Sequence, residues 1–505
     1  MREPTDASGG ARHIWLFAAA VVAVRLLFAF FLHINSDEPQ HLHVAWAWSR
    51  GLVQYRDVFD NHFPLLHLLF APLMAIVPES SSVIVLMRLA LLPFVLGAAW
   101  LLYRVGRPLL GTSAAAIAAL LFTVLPPWLP KSAEFRNDTL WIFLWLAALA
   151  LLIGRQRPAY LAAGVAAALC LLASVKLVPI LLAHALALAS ERRMVAPKMV
   201  MRFAAGAAIP FAAISTFMYA LGAFDEMIYA TLLYNGSLPV DPGRRIAGLV
   251  SFAILAPLLA LRGPRALTAL DPVARHLALF AAWFVLVLLC FWPIITPRDF
   301  LPLVPLGALG IAALRIARAA PALVLVLGTR AGATAAELWE PPDLSRQRFV
   351  DAAVRLTRPD EYVFDLKGNA IFRRRPVRFI YDAVGRALIA NGTLPDDAPE
   401  RIIASGTCVA MEDMTHIPSR TRAFLNAHFV DIGPLRVCGT VARGGAFTIA
   451  VPQTYAAIAR DPSRVTIDGV PYRGPRFLTA GRHTVTSAGD EPVTVIWSRA
   501  AKERG

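Results

Sequence analysis

The stretch IWLFAAAVVAVRLLFAFFLHINSDEPQHLHVAW, residues 14–46, runs from an unbroken apolar segment into two acids and two histidines, Asp37, Glu38, His41 and His43. Ile14 to Leu32 is long enough to cross a bilayer and lacks a small-residue cleavage site before the charges, so it reads as a first transmembrane helix and not as a removable leader. The acids that follow then sit at a membrane edge, where a carboxylate must be hydrated, paired or used.

The rest of the chain repeats the first half of that pattern. Of its 505 residues 57% are hydrophobic and the mean hydropathy is +0.57, far from a soluble enzyme and suited to many spans. Spanning or nearly spanning segments fall at 14–33, 84–103, 112–126, 139–153, 159–174, 176–190, 200–220, 246–261, 276–293, 301–317 and 319–330, about eleven in all. The net charge of +15 would suggest nucleic acid in a soluble protein. Here much of it belongs to inner loops: with the N-terminus inside, Arg104, Arg107, Arg192, Arg193, Lys198, Arg202, Arg262, Arg265 and Arg275 all fall on the cytoplasmic side. Nucleic acid is therefore not expected as a partner. The outer segments take most of the acids, including Asp37, Glu38, Asp57, Asp60, Glu134, Asp138 and Asp299, so the unusual chemistry is expected outside.

Hydropathy falls after about residue 331. The chain divides into a membrane body, 1–331, with an outer loop at 34–83, and a soluble domain, 332–505, which lies outside if the last segment spans. Short β-type runs such as YVFDL, VRFIYD and VTVIW suggest an α/β or mostly β domain. Cys408 and Cys438 fall in it and could pair, whereas Cys170 and Cys290 lie in apolar runs; no CxxC spacing suggests a metal or redox site.

The outer loop is too long for a simple connection. HLHVAWAWSRGL and LLHLLFAPLMAIV read as helices lying along the outer surface, with Trp46, Trp48 and Tyr55 as an aromatic belt in preference to a sugar-stacking platform. Asp37, two residues before Pro39, suits a helix N-cap, and a cap is compatible with a catalytic base. His41 stands one helical turn after Asp37, a spacing that would let the two share a divalent metal, although both are also ordinary hydrogen-bonding groups. The cofactor is otherwise undetermined.

SDEPQHLHVAWAWSRGLVQYRDVFDNHFPLLHLL resembles the first outer loop of GT-C-fold glycosyltransferases, the bacterial relatives of protein O-mannosyltransferases and of the transferase that adds aminoarabinose to lipid A. Asp37–Glu38, Gly51, Tyr55 and NHFPLL match, with Phe63 where a proline is common. EFRNDTLWIFLWLAALAL resembles the family's second outer loop, with an acid at Asp138; LLASVKLVPILL is similar to its lysine-containing segment; TPRDFLPLVPLGAL is similar to a PRYLLPLLP motif, with Asp299 replacing an aromatic. The resemblance covers about residues 12–320.

It implies a donor sugar on a polyprenyl phosphate, transfer with inversion at the outer face of the bacterial cytoplasmic (inner) membrane, and an acceptor in the cell envelope: a glycolipid, a polysaccharide or a protein. The chemistry asks for a base to take the acceptor's proton, for which Asp37 is the first choice and Glu38 the second. It also asks for cations around the departing lipid phosphate, and Lys176, Arg298 and Arg136 are the candidates. Lys176 could equally snorkel from the tip of the 159–190 hairpin. Asp138 is a candidate for orienting the acceptor, or a partner of Arg136 or Lys131; His62 could contact phosphate or sugar hydroxyls, or be a turn residue. Arg88 and Arg25 are expected to pair with outer acids or headgroups, and 224–245 to form a mobile outer loop over the lipid groove. A polymerase or ligase of lipid-linked glycans is the nearer rival reading. A transporter is the more distant one, because the ionisable residues gather in outer loops and no repeat is evident.

Overall fold

The computed structural model describes residues 22–153, 158–237, 270–293, 295–313, 344–487 and 491–503, with isolated positions at 19, 243, 246–250, 253–254 and 257. The expected boundary at 331/332, the segment at 319–330 and most of the segment at 246–261 lie outside the described residues.

Nine of the expected segments coincide with apolar helices. Val83–Leu110, Pro197–Ala220 and Pro272–Phe291 are long and apolar enough to cross a membrane; the shorter ones are Val22–Phe31, Thr112–Val124, Asn137–Leu152, Tyr160–Ala173, Leu177–Ser190 and Leu303–Ala313. Asn137–Leu152 sits at the centre. It carries Trp141 and Trp145 and is buried on nearly every side, as a helix apolar all round must be. Its neighbour Tyr160–Ala173 in turn meets Pro197–Ala220 through Gly164 and Gly206, where a Cβ on either glycine would run into the opposite backbone. Small residues at such a crossing let two helices touch in a solvent that offers no hydrophobic drive between them.

Asp37–Ser49 and Leu65–Met74 are helices of the 34–83 segment, the expected outer loop. Asp37 is the first helical residue and Ser36 the N-cap, with no side-chain capping bond. The expected cap by Asp37 is thus not made, and its carboxylate is available for other partners while still favouring the positive end of the helix. The Asp37–Ser49 helix is almost wholly buried, since the second domain covers it, so Trp46 is a core residue and not a belt residue.

That second domain has helices Ser345–Leu356, Ala383–Ala390, Ala398–Ala404 and Ser419–His428 and, among the described residues, two antiparallel sheets. The larger has Val409–Met411 and Phe429–Asp431 paired with Leu435–Ala442, then Val493–Trp497, Gln453–Ile458 and Arg476–Leu478. The smaller runs Gly445–Ile449, Gly481–Thr486, Thr466–Ile467 and Val470–Pro471. Cys438, in the Leu435–Ala442 strand of the larger sheet, forms a disulfide with Cys408. The domain docks on the outer loop: Ile380, Val384 and Leu388 share an apolar cluster with Tyr55, Phe59, Met227 and Tyr234. Of residues 224–245, expected as a mobile loop, 224–236 are helical, with a π-helical turn at Tyr229–Tyr234, and most of 238–245 lies outside the described residues. Tyr234 is fixed there by donating to Asp382 of the second domain at 2.6 Å.

Candidate active site

Three segments far apart in sequence bring charge to one place at one end of the helical body. The Phe135–Asn137 turn supplies Arg136, and the helix that follows supplies Asp138 in its first turn. Lys176 lies at the tip of the hairpin between Tyr160–Ala173 and Leu177–Ser190, and Arg298 lies in the short 3₁₀ turn Pro297–Phe300. The turn has its own sequence logic: Thr296 and Asp299 form a capping box, Thr296 N and Oγ1 donating to Asp299 Oδ2 at 2.7 and 2.8 Å. The box turns Arg298 inward instead of letting it pair with its neighbour.

The three cations expected at a lipid phosphate converge on Asp138. Arg298 donates to Asp138 Oδ2 at 2.9 Å; Arg136 Nε lies 3.5 Å from the same oxygen and Lys176 Nζ 3.5 Å from Oδ1. Trp141 Nε1 donates to Oδ1 at 3.2 Å. The network continues outward on both sides. Lys176 reaches Asp299 at 3.2 Å, Arg298 pairs with Glu134, and Glu134 also holds Lys131 at 3.0 Å. Arg136 bridges to Asp37 and donates to Asn35 Oδ1 at 3.1 Å. Burial, and then the charge of Arg298, brings the Arg136 guanidinium down to about 10, which still leaves it charged at neutral pH.

Asp37 and Glu38, adjacent in sequence, point to different worlds. Asp37 keeps 29% of its side chain exposed and pairs with Arg136 and with Lys367 of the second domain. Glu38 is fully buried. Its two oxygens take the Arg88 guanidinium at 2.6 and 2.7 Å and the backbone N–H groups of Asn35 and Phe135, each at 2.9 Å. Arg88 thus finds the acid partner expected of it. Arg25 does not: it donates to the Thr123 and Leu129 carbonyls at 2.5 and 3.0 Å and to Ser132.

The histidines gather behind the outer-loop turn. His62 faces Asp60 at 3.2 Å, His41 Nδ1 faces His67 Nε2 at 2.9 Å, and His67 Nδ1 faces Gln54 Oε1 at 3.1 Å. Burial holds His41 well below its usual value and takes His67 down to about 4, so both are neutral at pH 7. Burial opposes ionisation of Asp60, yet His62, His67 and His41 together keep it below the usual carboxylate range. Asp37 and His41 therefore have separate partners, and among the described residues no group of three or more His, Cys, Asp or Glu has an arrangement suited to a metal ion.

A cavity of about 400 Å³ opens beside the network, lined by His62, Phe63, Arg136, Lys176, Asn235 and Trp292 among others. Its charged end is Arg136 and Lys176; its remainder is mostly apolar. Such a site can hold an anion attached to an apolar body, with a partly exposed carboxylate next to the anion's cations.

Lys367 is the site residue that sequence reasoning misses. It lies 330 positions from Asp37, in a segment, FDLKGNAIF, whose composition is that of any loop. The one local signal is Gly368, at φ +94°. A Cβ there would come within 2.7 Å of the His43 ring, so only glycine lets the loop lie this close to the outer-loop helix.

The chain has a body of apolar helices, a charged end and a sheet-containing second domain, and the fold that it shares with the solved structures below is of the GT-C type. Residues 61–219 match the model of the dolichyl-phosphate-mannose-protein mannosyltransferase family. Among solved structures the chain is similar to ArnT from Cupriavidus metallidurans bound to undecaprenyl phosphate, at 17% identity and a TM-score of 0.57, covering 85% of this chain and 98% of that one. It is also similar to the apo state of the same ArnT, at 14% identity and the same TM-score and coverage. No curated protein matches the chain by sequence.

Proposed function

We propose that the protein is a glycosyltransferase of the outer face of the inner membrane that moves a sugar from a polyprenyl-phosphate donor to a cell-envelope acceptor, with inversion. The observation that carries this reading is the convergence of Arg136, Lys176 and Arg298 on one buried carboxylate at the charged end of a mostly apolar cavity, with Asp37 alongside. The ArnT relative bound to undecaprenyl phosphate supports the same donor class, and the Cys408–Cys438 disulfide supports an oxidising, extracytoplasmic side for the second domain.

In this reading the acceptor hydroxyl attacks the anomeric carbon from the face opposite the phosphate while Asp37 takes its proton. The bond between the anomeric carbon and the phosphate oxygen breaks, and its electron pair leaves with the lipid phosphate. Arg136, Lys176 and Arg298 stabilise the charge that grows there, in a site where low dielectric makes fixed cations effective. Asp138 holds these three cations in position, and His62 faces the sugar from the cavity wall. Glu38 serves as the buried anchor of the Asp37 helix and is not the base.

The test is transfer by the purified protein from a radiolabelled polyprenyl-phosphate sugar to an envelope extract, followed by the mass and anomeric configuration of the product. A product of inverted configuration is expected. Failure to consume any lipid-phosphate sugar, or a product of retained configuration, would overturn the reading.

A further inference from the structure

We propose that Lys367, brought by the second domain, is part of the donor site and binds the lipid phosphate; the proposal rests on the functional reading above. The side chain of Lys367 ends on Asp37, beside Arg136 on the same carboxylate. With Lys131, Arg136, Lys176 and Arg298 it makes five cations around Asp37, Glu134, Asp138 and Asp299. One positive charge is in excess among these groups, and Lys367 supplies it. A phosphodiester carries one negative charge, so the headgroup of the proposed donor, and not a neutral sugar, is the ligand that these cations suit.

The location has a second consequence. Lys367 engages the carboxylate assigned as the base, so an anion that draws the ammonium away also frees Asp37 to accept a proton. A lysine suits this exchange better than an arginine would, because its compact charge rides on a flexible stem and makes no two-point grip on the carboxylate. The groups that act on its ammonium are Asp37, Arg136, Asp382, Arg346 and Asp60. Burial, and then repulsion from Arg136, brings Lys367 down to about 8, the cost expected of a cation held in a crowded basic pocket.

The docking of the loop is built for placement. Gly368 lies against His43, and His43 Nδ1 meets the Ile371 carbonyl at 2.9 Å. Arg373 reaches Glu79 of the outer loop at 2.7 Å, and Asp351 accepts from Ser81 N and Oγ, both at 2.8 Å. These bonds fix the domain to the membrane body on both sides of Lys367, which holds a residue of a separate domain against Asp37.

The experiment uses the full-length purified protein in micelles and measures binding of polyprenyl phosphate and of the uncharged polyprenol. Loss of one charge-assisted contact predicts about 10- to 100-fold weaker binding of the phosphate in Lys367→Met and Lys367→Gln, with polyprenol binding unchanged. Lys367→Arg should recover most of the loss, and the donor KM should rise in step with the binding constant. Asp351→Asn, on the same interface but outside the site, should bind the phosphate as the wild type does. Folding is checked by the unfolding midpoint, and two neutral variants keep the test open if one is unstable. Unchanged phosphate binding in a folded neutral variant, or equal weakening by Asp351→Asn, would overturn the assignment of Lys367 alone. Wild-type protein that binds neither lipid phosphate nor its sugar conjugate would instead overturn the functional reading.

Discussion

Replacing Glu38 by Gln separates a structural carboxylate from a catalytic one. The change removes one charge from an ion pair in which both side chains are at most 1% exposed, and it leaves Arg88 facing an amide that has a donor where an acceptor is needed. Arg88 cannot turn elsewhere. Its remaining N–H groups are already given to the Ala29, Leu32 and His33 carbonyls at 3.1, 2.9 and 3.2 Å, at the end of the first helix. Breaking one side of such a buried pair costs about 3–5 kcal/mol. The loss should appear as a lowered unfolding midpoint of the purified protein and poor recovery from membranes. Arg88→Met should cost a similar amount, and the double variant less than the sum, because the second change removes the charge that the first one stranded. A Glu38→Gln protein of wild-type stability with its transfer activity lost would refute the reasoning and make Glu38 the base.

Other outcomes follow from the same geometry. Arg298→Met should raise the donor KM and lower kcat by about 10- to 100-fold through loss of one charge-assisted phosphate contact, measured by steady-state transfer; an unchanged donor KM would place Arg298 outside the donor site. His67 is held neutral at about 4 against an ordinary 6.5, so the unfolded chain binds the extra proton between those values. Stability should therefore be intact above about pH 6.5 and fall toward pH 4, with the slope reduced in His67→Gln if that variant folds, as followed by unfolding midpoints against pH. Removing the Cys408–Cys438 bridge by a double change to Ser should destabilise the second domain by about 2–5 kcal/mol, read in the same assay with and without reductant; equal midpoints would mean that the bridge contributes nothing.

The helical body was legible because it is a matter of composition. Runs such as Val83–Leu110 announce themselves by length and hydropathy. The charged cluster was legible in part for the same reason: Arg136, Asp138, Lys176 and Arg298 are exceptions in apolar surroundings, and an ionisable residue there needs a partner. Which partner it takes is a question of packing. Asp37 and Glu38 share a sequence context, yet one is partly exposed and the other is sealed against Arg88 from another helix, a difference no local pattern encodes. The outer-loop helices read as surface helices with an aromatic belt because nothing in Ala45–Trp48 reveals that a second domain covers them. Lys367 was hidden for the complementary reason. Its loop has ordinary composition, and its position depends on Gly368 fitting against His43 and on contacts made hundreds of residues away in the chain.

The most direct test of the account is the turnover of Asp37→Asn, assayed as purified, folded protein with a saturating polyprenyl-phosphate sugar. Asp37 is partly exposed, so the variant should fold and still bind the lipid donor. Loss of the base should lower kcat by about 10²- to 10⁴-fold. Turnover equal to that of the wild type, in a protein of unaltered stability, would contradict the account at its centre.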